Sequence, residues 1–212
     1  YRYIQLVIRS LVEAEALNMV ESVGNVVRHR TVPIVVQKGP GSYVIRWVPA
    51  ASAEALAHAY QSALAERAKH EGLPVCYWCS KGEFIKHFDL EFHRKYLGVI
   101  KKQQLSTSEK DIITYEENIM RPYESIREKL EELEKSKLEK ERRKLEDYMR
   151  SIDFAREVEK AIVENCVVED LGGFLVTQGP VKRTSIFQFS WMVPTMESIE
   201  KGVSTLDSQF LV

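Results

Sequence analysis

A chain of 212 residues with 30 Lys and Arg against 31 Asp and Glu carries a formal net charge of −1, and 44 % of it is hydrophobic, enough to bury a real core. Retention of nucleic acid by bulk charge is thereby excluded, so a basic binding surface must be gathered locally and offset elsewhere. No apolar run approaches the roughly 18 residues of a membrane span, no leader pattern opens the chain, and three cysteines are too few for a secreted disulfide framework, so a cytoplasmic protein is expected.

The first element comes from Ile4, Leu6 and Ile8, which alternate with Gln5, Val7 and Arg9 at the period of a strand. A polar, Gly-containing stretch then runs from Asn18 to Arg28-His29-Arg30. A hairpin follows at 32–37 and 42–48 around a Lys38-Gly39-Pro40-Gly41 turn, closed by Pro49. Ser52 can cap the next helix, Glu54 suits its first turn, and Gly72 and Pro74 stop it. Leu56, Tyr60, Ala63 and Leu64 form its expected core stripe, with His58, Gln61 and Lys69 pointing elsewhere.

After an aromatic, His-bearing piece at 77–96 comes a very charged helix over 124–150, whose acidic and basic residues balance. Its apolar register runs Ile126, Leu130, Leu133, then steps five residues to Leu138 and on to Leu145. That step breaks a heptad, so a salt-bridged, largely solvated helix is expected rather than a long coiled coil. A short helix at 154–164 leads into Asp170-Leu171-Gly172-Gly173, a strand at 174–177, a Gly179-Pro180 turn and a long strand at 184–193. The sum is an α+β fold with an interrupted sheet.

No nucleophile elbow, phosphate loop, dinucleotide fingerprint or metalloprotease helix is present, and Gly172-Gly173 lacks the Lys-Ser/Thr of a phosphate loop. Arg28-His29-Arg30 has no paired acid or nucleophile nearby in sequence, and reads as a cationic hinge for phosphates before an active site. Cys76-Tyr-Trp-Cys79 has a zinc-knuckle spacing, but the step to His87 and His93 is shorter than in a zinc finger. A structural thiol pair or local disulfide is therefore the first reading. Zinc on Cys76, Cys79, His87 and His93 is the second, redox catalysis the last, and no metal is assigned. Phe187, Phe189 and Trp191 share one strand face, where core packing is preferred over base stacking.

Three blocks carry a resemblance. The first runs from Glu15-Ala16-Leu17-Asn18 through Glu21-Ser22-Val23-Gly24-Asn25 to Arg28-His29-Arg30-Thr31. The second is Tyr43-Val44-Ile45-Arg46-Trp47-Val48-Pro49, with Glu54 to Gln61 and Glu71-Gly72-Leu73-Pro74 after it. The third spans Asp170-Leu171-Gly172-Gly173-Phe174 and Pro180-Val181-Lys182-Arg183-Thr184-Ser185. In this order they closely resemble the backbone-subunit family of the archaeal type I-A CRISPR Cascade complex, over residues 3–75 and 164–212.

The resemblance implies a ferredoxin-like (RNA-recognition-motif) palm with a large inserted helical lobe. Residues 1–75 would open the palm, 76–163 would form the lobe, and 164–212 would return to the palm as far as the start of the thumb, without its C-terminal part. It implies copies stacked along crRNA, each clamping sugar-phosphate and leaving bases free to pair with target DNA. Other Cascade subunits and a helicase/nuclease effector would be partners, with no membrane, cofactor or catalysis of the chain's own. Asn18, Ser22 and Asn25 suit hydrogen bonds to phosphate or ribose, and Arg28, His29 and Arg30 add charge. Lys182 and Arg183 sit in a second loop expected to face the same groove. The alternatives are a crRNA-processing endoribonuclease of the same palm fold, and an assembly protein acting through 120–150 without RNA contact.

Overall fold

A computed structural model of the chain describes residues 3–12, 19–23, 26–102, 106–201 and 209–210. The chain is α+β, with small antiparallel sheets and many helices, and divides into two compact units: Tyr1–Ala57 with Phe189–Val212, and His58–Gln188. No helix among the described residues is long and apolar enough to cross a membrane.

In the first unit, β1 (Met19–Val23) pairs antiparallel with β2 (Val26–His29), which in turn pairs with β7 (Gln209–Phe210). A separate hairpin joins β3 (Thr31–Gly39) to β4 (Ser42–Pro49) through the expected turn, where Gly41 takes φ +74°. That left-handed value favours glycine over any residue with a Cβ. Strand alternation sends Val32, Ile34, Val36, Val44 and Val48 to one face, against Ile199 of α8 (Met196–Glu200). Arg46 points to the same side and donates to the Ile199 carbonyl at 3.1 Å. On the opposite face the cross-strand partners Val35 and Ile45 are exposed, as are Tyr43 and Trp47.

Two expected strands are not formed. Residues 3–12 have no regular structure, and Ile4, Leu6 and Ile8 are exposed. Alternation alone does not make a strand where no neighbour supplies a ladder. At 184–193 only Met192 is bridged, exchanging two 3.0 Å hydrogen bonds with Ala51. The start of that segment keeps a strand's alternating burial, yet its polar groups turn elsewhere. Ile186 N–H donates to the Leu171 carbonyl at 3.0 Å, and Ser185 Oγ donates to the Phe187 carbonyl at 2.8 Å.

The helix α1 (Ala53–His70) starts where expected, with Ser52 Oγ accepting from Ala55 N–H. Its buried stripe is Gln61, Ala65 and Ala68, one step round from the expected one. Small alanines let neighbouring backbone approach, whereas Tyr60 stays at the edge against Phe187, ring centroids 4.7 Å apart.

The second unit is mainly helical: α2 (Tyr77–Ser80), α3 (Leu90–Ile100), α4 (Thr107–Ser136), α5 (Glu139–Met149), α6 (Ile152–Asn165) and α7 (Val167–Gly172). Asp89 caps α3, Ser151 caps α6, and Ser106 with Glu109 forms a capping box on α4. Ile113, Ile119, Met120, Tyr123, Ile126 and Leu130 of α4 pack with Phe154, Val158 and Ile162 of α6. The charged helix expected over 124–150 is two helices. Lys137 takes φ +58° and ends α4, so the break falls within the five-residue step from Leu133 to Leu138. Beyond it α5 is solvated and buries no residue.

The unit closes with a hairpin of β5 (Phe174–Val176) and β6 (Val181–Arg183), of which the second arm is not legible as a strand in sequence. Gly173 precedes it with φ +72° and ψ 162°, and a Cβ there would lie 2.5 Å from the Arg183 carbonyl oxygen and from Ser185 N. Strain in this region of backbone space costs about 1–3 kcal/mol before any clash is counted. Gly173→Ala is therefore expected to destabilise the chain by at least about 2 kcal/mol in urea titration. A midpoint equal to that of the parent chain would show that the hairpin has another conformation.

Candidate functional site

Of the residues expected to meet RNA, Asn18 and Asn25 lie outside the described residues. Ser22 stands on β1 opposite Val27, Arg28 on β2 opposite Glu21, and His29 opposite Met19. One two-stranded ladder therefore carries Ser22, Arg28 and His29 within a few residues of one another. Arg30 follows at once; its guanidinium lies over the Trp191 ring, 5.6 Å from the centroid, and its backbone carbonyl accepts from Ala50 N–H at 3.0 Å.

Lys182 and Arg183 belong to the other compact unit. Lys182 is exposed on β6. Arg183 is engaged: Nη2 is 2.5 Å from Asp170 Oδ1, Nη1 is 3.3 Å from Glu159 Oε1, and Nε donates to the Asp170 carbonyl at 3.0 Å. A guanidinium held by two carboxylates has little charge left for a phosphate, so of this pair Lys182 is the available cation.

The densest polar constellation is buried in the second unit. Cys76 and Cys79 flank the start and body of α2, and Cys166 sits at the α6–α7 junction. All three are buried and unbridged, so the Cys76–Cys79 disulfide is not present. Their Sγ atoms and a carboxylate oxygen of Glu169 lie within 4.8 Å of one another. Glu169 Oε1 also accepts from His87 Nδ1 at 2.6 Å and from the Cys76 thiol at 3.3 Å. On its other side His87 Nε2 meets Glu116 Oε1 at 3.0 Å, and His93 Nδ1 reaches that same oxygen at 3.0 Å. Glu116 Oε2 accepts from Tyr77 N–H at 3.2 Å.

Backbone geometry contributes to this placement. Lys86 and His87 both take positive φ, 54° and 45°, uncommon for residues with side chains. The cost is held by burial and by Lys86 Nζ, which donates to the Gly172 carbonyl at 2.8 Å.

Each ring nitrogen of His87 faces a carboxylate oxygen, and a neutral imidazole has only one N–H to give. Burial disfavours the charged ring, but Glu169 and Glu116 on either side outweigh it and raise the His87 pKa well above its ordinary value. The two acids thus favour the imidazolium form of His87, while burial raises the Glu169 pKa in turn and draws the shared proton toward that carboxylate. Burial pulls the His93 pKa down, with the positive His87 ring stacked on it at 4.2 Å between centroids. Burial also works against the Glu116 carboxylate, yet His87 and His93 together hold its pKa far below the usual range.

The sequence picks out Cys76, Cys79, His87 and His93 but not Cys166, Glu116 or Glu169. One signal exists for Glu116: it interrupts the apolar stripe Ile113, Ile119, Met120, Tyr123 of α4, where an acid must find a partner. The structure also sorts the four expected zinc ligands into two adjoining groups, thiols with Glu169 and imidazoles with Glu116. All of these side chains are buried, so they shape the unit rather than touch a macromolecular surface.

Comparison with known proteins places the chain among CRISPR-associated proteins. A sequence model described as CRISPR-associated negative auto-regulator DevR/Csa2 matches residues 6–120 and 114–212, and the chain belongs to this DevR/Csa2 family. The CRISPR-associated aCascade subunit Cas7/Csa2 2 of Saccharolobus solfataricus is 35 % identical over 206 residues, covering 97 % of this chain and 49 % of that protein. CRISPR-associated protein Cas7/Csa2 1 of the same organism is 32 % identical over 210 residues, covering 99 % and 49 %. The chain spans about half the length of the curated relatives it matches. The family resemblance carried by the three sequence blocks is borne out.

Proposed function

We propose that this chain acts as a non-catalytic crRNA-binding backbone subunit of a type I-A Cascade complex, taking part in antiviral defence. The observation that carries this reading is the match to an aCascade subunit along 97 % of the chain. Copies would assemble along the guide RNA and hold its sugar-phosphate while the bases pair with target DNA. Other Cascade subunits and a helicase/nuclease effector would complete the assembly.

In this reading the small sheets of the first unit contribute to a ferredoxin-like palm, and residues 76–163 form its inserted helical lobe, with 164–212 returning to the palm. The contacts would be polar and cationic: Asn18, Ser22, Asn25, Arg28, His29 and Arg30 on one segment, Lys182 on another. Such residues grip phosphate and ribose without reading bases, which suits a protein whose sequence information comes from the guide. The exposed Lys182 supports an accessible cationic position in an otherwise balanced chain.

Incubation of the chain with labelled repeat-derived RNA tests the proposal. Retention of intact RNA on a filter is expected. Cleavage would identify an endoribonuclease, and neither retention nor cleavage would favour an assembly protein working through its helices.

A further inference from the structure

We propose that Cys76, Cys79, Cys166 and Glu169 form a structural site for one divalent zinc-class ion. Four donor atoms, three sulfurs and a carboxylate oxygen, already lie within 4.8 Å of one another, each on a buried side chain. A tetrahedral zinc ion with bonds of about 2.0–2.3 Å needs donors about 3.5–3.8 Å apart. Closing the set therefore takes about 1 Å of contraction, within reach of side-chain rotation. Glu169 Oε2 is buried with no hydrogen-bond partner among the described residues, an acceptor that a cation would satisfy.

The surroundings match what a metal-bound carboxylate requires. A ligating carboxylate is normally held by a hydrogen bond from outside the coordination shell. Here His87 Nδ1–H supplies it at 2.6 Å, and Glu116 and His93 continue the chain behind it. The second group, His87, His93 and Glu116, is a weaker candidate because Glu116 Oε1 already accepts from both imidazoles. Sulfur-rich, closed coordination suits zinc in a structural role and leaves no position for a reacting water. On binding, the three thiols become thiolates and release their protons to solvent.

The ligands come from opposite ends of one stretch of chain. Cys76 and Cys79 stand at the start of the 76–163 segment, Cys166 and Glu169 just past its end. One ion would tie α2 to the α6–α7 junction.

Titration of the metal-free, reduced 212-residue chain with cobalt(II) tests this directly. The expected spectrum has sulfur-to-cobalt charge transfer and the intense d–d bands of a tetrahedral site, saturating at one equivalent and displaced by zinc. Cys166→Ser should abolish the charge-transfer band or sharply reduce it. His87→Gln, which alters only the outer partner, should weaken metal affinity about 10–100-fold while keeping the tetrahedral spectrum. Because Cys166→Ser can fail to fold, the titration of the unaltered chain decides on its own. A cobalt spectrum without sulfur charge transfer would overturn the proposal. So would a zinc-insensitive melting temperature, or a disulfide between two of the three cysteines in protein purified without oxidant.

Discussion

Glu116→Ala is expected to lower the stability of the chain by about 3–5 kcal/mol, the usual cost of removing one partner from a buried ion pair. Glu116 is buried in α4 and, among the described residues, is the one carboxylate contacting both His87 and His93. Its loss leaves an imidazolium with half its compensation, a second ring without its Nδ1 partner, and the Tyr77 N–H unmatched. For a chain of this size each kcal/mol moves the melting temperature by about 2–4 °C, so a fall of about 6–20 °C is expected by calorimetry. Glu116→Gln should recover part of this. Its amide oxygen still accepts from the rings, but its NH2 then meets the Tyr77 N–H, donor against donor. If the alanine variant melts within about 2 °C of the parent, the buried network is not the support described above.

Affinity for single-stranded RNA is expected to fall about 20-fold as monovalent salt rises from about 50 to 200 mM. The slope is about −0.7 per phosphate neutralised, hence about −2 for Arg28, Arg30 and Lys182 together. Unrelated RNAs of equal length should bind alike. Arg28→Ala should weaken all of them evenly and reduce the slope by about 0.7. Arg183→Ala should leave the slope unchanged, because Asp170 and Glu159 already neutralise that guanidinium. A marked preference for one base sequence, or an affinity indifferent to salt, would remove the case for a phosphate clamp.

Local signals in the sequence are matched closely by the structure. The hairpin around Gly41 and the helix begun by Ser52 follow from turn chemistry and capping, which act over a few residues. The five-residue step at Leu138 marks a break that Lys137 makes in the backbone. Errors arise where a partner decides the outcome. Ile4, Leu6 and Ile8 have a strand's alternation but no ladder, and the start of the 184–193 segment keeps alternating burial while bonding to α7 and to itself. Tyr60 and Ala63 resemble core positions of α1, yet the interface prefers the alanines at 65 and 68 with Gln61. The buried cluster is the extreme case. Cys76 and Cys79 announce themselves by spacing, but Cys166 and Glu169 come from a remote helix junction that no local pattern connects to them.

That remoteness sets an order of assembly. Cys76 and Glu169 are 93 positions apart in the chain. Bringing such distant points together in an open coil costs about 4 kcal/mol of loop-closure entropy, more than one thiol–carboxylate contact returns. The intervening helices must therefore condense first, α4 against α6, and shorten the gap before the cluster can close. In that sequence of events the cluster is a latch that snaps shut after the rate-limiting barrier, not the nucleus that lowers it. Its removal by Glu169→Ala would then appear as faster unfolding with refolding nearly unchanged in stopped-flow traces, whereas slowed refolding would place the latch in the nucleus. A lobe built this way owes its lifetime, more than its speed of formation, to a few buried polar side chains.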